Sequence, residues 1–229
     1  MLVCQDAGMT ATRTYRGVPI EQRRALRRER LIGAGLQEIG TRGYDNITVK
    51  DVCGRAGLTE RYFYEHFADR AALLFAVFDE VVATVTAAAF AASDAAAPEL
   101  EARTRAGLTA FVDALTDDPR RARVQLIEVV GRSAELEQRR FAAMHVFADY
   151  IAAAASELAP RADLTLRQRR VAALALVGGS NHLVVEWVLG DLKMPKGELV
   201  ETLVALFVGA ADAPAPKAPA KPRERVRRR

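Results

Sequence analysis

Two cysteines in 229 residues, Cys4 and Cys53, are too few and too widely spaced for a disulfide framework or a thiolate metal site. The chain therefore suits a reducing, cytoplasmic compartment. Aromatic residues make up only 7% of it, and alternating β-branched runs between turn residues are almost missing, which argues against a sheet protein. The first residues, Met1-Leu2-Val3-Cys4-Gln5-Asp6, lack the basic region and apolar run of a signal peptide. The longest uncharged stretch, near 171–185, is interrupted by Gly178, Gly179, Asn181 and His182. It is also shorter than the roughly 20 residues that span a bilayer, so no membrane segment is expected. His66, His145 and His182 have no carboxylate or thiol partner at a spacing used for metals or nucleophiles. A GxSxG elbow, a P-loop and an HExxH helix are missing too, so neither an enzyme nor a cofactor is expected.

What is present is apolar, helical and unevenly charged. Half of the residues are hydrophobic and 27% are charged, enough for a sizeable core. Residues 1–75 carry 12 Lys and Arg against 9 Asp and Glu, residues 76–211 carry 14 against 18, and residues 212–229 carry 7 against 2. Basic ends around an acidic middle suit a polyanionic partner at the ends, although such splits also arise without function. Ala, Leu, Arg and Glu dominate, and apolar spacing predicts an all-α chain of about nine helices. They fall at 20–41, in two short pieces between 48 and 67, and at 69–92, 99–116, 119–133, 134–159, 165–190 and 196–211. Pro119, Pro160 and Pro195 stand at boundaries, where a missing N–H costs least. Residues 1–19 read as a flexible basic arm. The Ala-Pro-Lys and Arg-rich stretch 212–229 reads as a disordered tail, either merely solvated or a tether to phosphates.

The segment from Thr48 to Phe67 is the most informative. Thr48 caps a helix with Asp51 three residues on, a near capping box worth about 1 kcal/mol. Gly57 supplies the left-handed backbone for a sharp turn, and Thr59 is placed to cap the next helix. Val52, Ala56, Leu58, Phe63 and Phe67 are spaced to point inward, leaving Arg61, Tyr62, Tyr64, Glu65 and His66 outside. Two short helices at a steep angle with such side chains outward fit a DNA major groove. Hydroxyls and cations suit phosphates, and Arg61 can pair bidentately with guanine. A helical hairpin that only packs would not expose Tyr62, Tyr64 and His66 opposite Phe63 and Phe67.

The run from Arg30 through Leu74 resembles the DNA-binding module of the tetracycline-repressor-like (TetR) regulators. The resemblance is carried by Arg42-Gly43-Tyr44, Thr48-Val49, Ala56-Gly57-Leu58-Thr59, Phe63-Tyr64, Phe67 and Leu73-Leu74. It implies a homodimer on a near-palindromic double-stranded operator, with Tyr64 on a phosphate and Thr48 and Lys50 near the backbone. With the bottom-up candidates Thr59, Arg61, Tyr62 and His66, these form the expected DNA-binding set. Glu60, Arg61, His66 and Ala68-Asp69-Arg70 depart from the residues most common in the family, which affects the operator sequence rather than the fold.

The resemblance also implies that residues beyond about 75 hold a ligand pocket and a dimer interface, with a domain boundary near 68. Pocket candidates, mostly apolar with a few polar groups, are Phe78, Phe111, Glu128, Phe141, His145, Asn181 and Trp187. Broad apolar faces at Leu174, Val177, Val184 and Val188, and at Leu203, Leu206 and Phe207, are candidates for a two-fold four-helix interface. Gly178-Gly179 serves either close helix approach or a ligand contact. The function expected is a repressor released by a small, hydrophobic effector. A DNA-binding architectural dimer without an effector is the competing reading.

Overall fold

The computed structural model describes residues 19–214, and every regular element among them is helical. Nine α-helices follow one another: α1 (Ile20–Arg42), α2 (Val49–Ala56), α3 (Glu60–Tyr64), α4 (Arg70–Ala95), α5 (Leu100–Thr116), α6 (Pro119–Arg123), α7 (Ala134–Leu158), α8 (Leu166–Leu189) and α9 (Lys196–Asp212). A 3-10 turn, Tyr44–Asn46, separates α1 from α2. The basic arm and the basic tail lie outside the described residues, apart from Pro19 and residues 212–214.

One expected helix is divided. Residues 119–133 form α6, then a single widened π turn at Val124–Glu128, then a loop. Gly131 sits at φ +71°, a left-handed conformation that stops the helix. Ser133 Oγ then accepts the Leu136 N–H at 3.1 Å and starts α7.

The chain divides into two compact units, crossing between them within α4, α5 and α7. The first runs to Ala87 and takes in Asp113–Arg140. Its core joins Leu31 and Ile39 of α1, Val52 of α2, Phe63 of α3, and Leu73, Leu74, Val77 and Phe78 of α4 to Val124, Val129 and Leu136. The helix-turn-helix thus shares its apolar interior with α4 and with the α6–α7 stretch, and this division falls elsewhere than at residue 68. Gly40 is where α1 meets α6: a Cβ there would lie 2.4 Å from Arg120 Cβ and 2.8 Å from Arg120 Cα.

The second unit comprises Ala88–Val112 and the chain from Phe141 onward. Ala148 and Ala152 of α7 pack on Ala173 and Val177 of α8, small residues that let the two helices approach closely. The Phe147 ring meets Phe90 and Phe111 edge-on at 5.2 and 5.6 Å. α4 and α8 are both long and apolar enough, by length and composition, to cross a membrane. In α4 the apolar stripe Leu73, Val77, Val81 and Val85 is buried within the protein, the property of a core helix.

Candidate nucleic-acid interface

α2 begins with a complete capping box. The Asp51 N–H donates to Thr48 Oγ1 (3.2 Å), while the Thr48 N–H and hydroxyl donate to Asp51 Oδ2 (2.7 and 2.6 Å). Those two donors, hydroxyl first, together with Arg42 at 3.2 Å, lower the Asp51 carboxyl to about 2. A depressed folded-state value contributes stability that is complete above the unfolded value, about 4, and fades as pH falls through about 2. Asp51→Asn should therefore unfold at lower urea than the parent at neutral pH. Urea titrations at decreasing pH should show that difference closing between about 4 and about 2.

Behind the cap, Glu38 of α1 is buried and receives Arg55 Nε at 2.8 Å and Arg42 Nη1 at 3.1 Å. Burial acts to raise its carboxyl, but the two guanidinium bonds outweigh this and hold it below the usual range. α2 ends at Gly57, whose φ of +62° and ψ of +40° are left-handed. The Leu58 N–H reaches back to Cys53 O at 3.0 Å, closing the turn into α3.

α3 is anchored by Phe63 and Phe67, both buried, with ring centres 5.6 Å apart. This fixes which side chains face out. Arg61 has 86% of its side chain exposed, and Tyr64 is 57% exposed. Thr48, Lys50 and Thr59 are also exposed, so five of the seven expected DNA-binding residues stand at the surface. The Thr48 hydroxyl is already engaged with Asp51. Thr59 differs from expectation: its side chain makes no capping bond, and its carbonyl alone receives the Tyr62 and Phe63 N–H groups.

Tyr62 and His66 do not point outward as the spacing suggested. Both are half-buried, because α1 covers that side of α3. The Arg27 guanidinium lies 4.5 Å over the Tyr62 ring, and His66 rests 6.4 Å from Phe67. Burial first, then the charges of Arg24 and Arg27, push the His66 imidazole below its ordinary value and favour its neutral form. The residues that sequence reasoning missed are these α1 arginines. Their signal was the run Arg23-Arg24 and Arg27-Arg28 with Arg30, five cations in eight residues.

Residues 31–77 match the family model for bacterial regulatory proteins of the tetR family. Solved structures agree over most of the chain. The fatty acid degradation regulator FadR from Bacillus halodurans superposes with a TM-score of 0.70 at 20% identity, covering 80% of this chain and 95% of that one. FadR from Bacillus subtilis, solved in complex with stearoyl-CoA, gives 0.67 at 18%, covering 80% and 98%. A tetR-family regulatory protein from Rhodococcus RHA1 gives 0.61 at 19%, covering 80% and 95%. No curated protein matches in sequence. Residues 31–77 thus carry a tetR-family module, and most of the chain shares the fold of these structures.

The α2–α3 pair is the helix-turn-helix of that matched module. The seven pocket candidates fare differently. Phe78 is buried in the core of the first unit. Glu128, also in that unit, is spent on Arg123, Arg132 and the Tyr44 N–H. In the second unit Phe111 packs on Phe147, whereas Phe141 and His145 are exposed. Asn181 is half-buried, and the Trp187 indole N–H donates to Met194 O at 2.8 Å, closing the α8–α9 turn. The seven are thus divided between the two units.

Among the dimer candidates, Val177, Val184 and Leu203 are buried in this single chain, which removes them from any outer surface. Leu174, Val188 and Phe207 are half-buried, and Leu206 is exposed. The open apolar residues of α8 are instead Leu166, Val171 and Leu189. A helix that is apolar nearly all round gives no periodicity from which to tell core face from outer face.

Proposed function

We propose that this TetR-family chain is a ligand-responsive transcriptional repressor that binds a near-palindromic operator as a homodimer in the cytoplasm and is released by a small, hydrophobic effector. The observation that carries the reading is the outer face of α3, where Phe63 and Phe67 anchor the helix and leave Arg61 and Tyr64 open to solvent. A planar, five-donor guanidinium suits the O6 and N7 of guanine, and a phenol suits a phosphate oxygen. Two such faces about one helical turn apart match two half-sites.

The dimer is supported by α8. Its most apolar window is only 22% buried in the single chain, and Leu166 and Val171 are 69% and 63% exposed. So much open apolar surface on one helix favours coverage by a second copy. The α8 face with Val171 and Leu189, continued by Leu206 of α9, replaces the buried Val177, Val184 and Leu203 as the proposed interface. The stearoyl-CoA seen with the Bacillus subtilis neighbour makes long acyl thioesters the first effectors to try.

Selection of bound duplexes from a random library by the purified protein tests this reading. Two inverted half-sites are expected, and recovery should drop when the matching effector from an acyl thioester panel is added. Enrichment without a shared motif and without any effector response would favour the architectural dimer instead. In the same selection Arg61→Ala should weaken binding by about 1–3 kcal/mol and relax one base position per half-site. An unchanged motif would remove Arg61 from base reading.

A further inference from the structure

The first turns of α1 carry Arg23, Arg24, Arg27, Arg28 and Arg30 against Glu21 and Glu29. Arg24, Arg27 and Arg28 lie at helical spacing on one face, the face that continues into buried Leu31 and meets α3. Arg27 stacks on Tyr62, and Arg28 lies 5.5 Å over the Phe67 ring. The arginine row of α1 therefore runs alongside α3, next to exposed Arg61 and Tyr64.

One carboxylate is held between the two helices by these arginines. Glu65 follows directly after α3 and stands between the two helices. Its Oε1 is 3.6 Å from Arg61 Nε, its Oε2 is 3.9 Å from Arg27 Nη2, and its backbone carbonyl accepts a bond from Arg24 Nη2 at 3.4 Å. All three contacts are long, and the Glu65 side chain is 36% exposed. Ion pairs of this kind contribute little to folding stability and exchange readily for a better anion. A DNA phosphate is such an anion, because it accepts charge-assisted bonds from several guanidiniums at once.

We propose that Glu65 is an intramolecular stand-in for a DNA phosphate. In the free protein it holds Arg27 and Arg61 together, and on binding it yields them to the backbone and the base edge, while Arg24 and Arg27 become phosphate contacts of α1. Each contact with random DNA must then displace Glu65, which restrains sequence-independent binding. An operator regains the loss through base contacts that random DNA cannot offer, so Glu65 sets specificity rather than peak affinity. This inference rests on the DNA-binding reading above.

The test is a set of anisotropy titrations with a random-sequence duplex over a range of salt, using the full chain. Glu65→Gln should bind it about threefold to tenfold more tightly than the parent near 0.1 M salt. The paired change Arg24→Gln with Arg27→Gln should flatten the log-affinity against log-salt slope by about one to two, near 0.9 per lost phosphate contact. Placing Glu65→Gln in the Arg27→Gln background should shrink its gain, an outcome a purely structural role would not produce. Melting curves identify any variant that fails to fold; Glu65→Ala and the Arg27 single variant then supply the same comparison. If the parent binds no duplex at any salt, the functional reading falls and this inference with it. If the parent binds but Glu65→Gln binds equally or more weakly, or the arginine pair leaves the slope unchanged, the inference alone is overturned.

Discussion

Gly40→Ala should destabilise the first unit by about 2 kcal/mol or more, although alanine is the better helix former. At an open helical site the exchange gains up to about 1 kcal/mol. Here the added methyl would lie 2.4 Å from Arg120 Cβ and 2.8 Å from its Cα. A long side chain can swing aside from such a clash, but Cα belongs to the α6 backbone, so α1 and α6 must separate. That separation would pull on Val124 and Val129, which are fully buried in the same core. Gly33 on the same helix provides the control, because nothing lies within 4 Å of a Cβ built there. Gly33→Ala should gain about 0.5–1 kcal/mol. Urea unfolding of the two variants should therefore shift in opposite directions, and a shift in the same direction would contradict the close α1–α6 contact.

The contrast between Gly40 and Gly33 also marks how far the sequence could be read. Helix positions were legible because they depend on local chemistry: the Thr48–Asp51 cap, the left-handed Gly57 and the prolines each act within a few residues. The helix-turn-helix was legible for the same reason, since Phe63 and Phe67 four residues apart determine what Arg61 and Tyr64 can face. What failed depended on partners far along the chain. Tyr62 in α3 and His66 just after it have outward spacing, yet α1, more than thirty residues earlier, covers them. Val184 and Leu203 are as apolar as Val171 and Leu206, and only tertiary packing distinguishes the buried pair from the open one. The pocket candidates are the least legible, because sequence alone does not tell which of them already have protein partners.

Glu128 has such partners on three sides, and its replacement should have the second large effect. The carboxylate is 9% exposed and sits at the end of the π turn. It receives Arg123 Nε at 3.0 Å, Arg132 Nη2 at 3.2 Å and the Tyr44 N–H at 3.0 Å. The two arginines reach onward: Arg123 Nη1 donates to Thr41 O at 2.9 Å, and Arg132 forks onto Asp45 at 2.8 and 2.9 Å. Glu128 is thus the hub that fastens the α6 stretch to the end of α1 and to the turn leading into α2. Glu128→Ala leaves the Tyr44 N–H without its acceptor and two guanidiniums without their shared anion. Because both arginines keep other partners and some water, the loss should be about 2–4 kcal/mol, below that of a fully enclosed pair. Glu128→Gln keeps an acceptor for Tyr44 and should lose roughly half as much. Denaturant titrations give the order parent, Gln, Ala. The same order should appear in duplex affinity, because the residue supports the turn that positions Thr48 and α2 without standing on the DNA-facing surface. A ligand-pocket role predicts the opposite pattern, with folding stability and duplex affinity near the parent's and only the effector response altered.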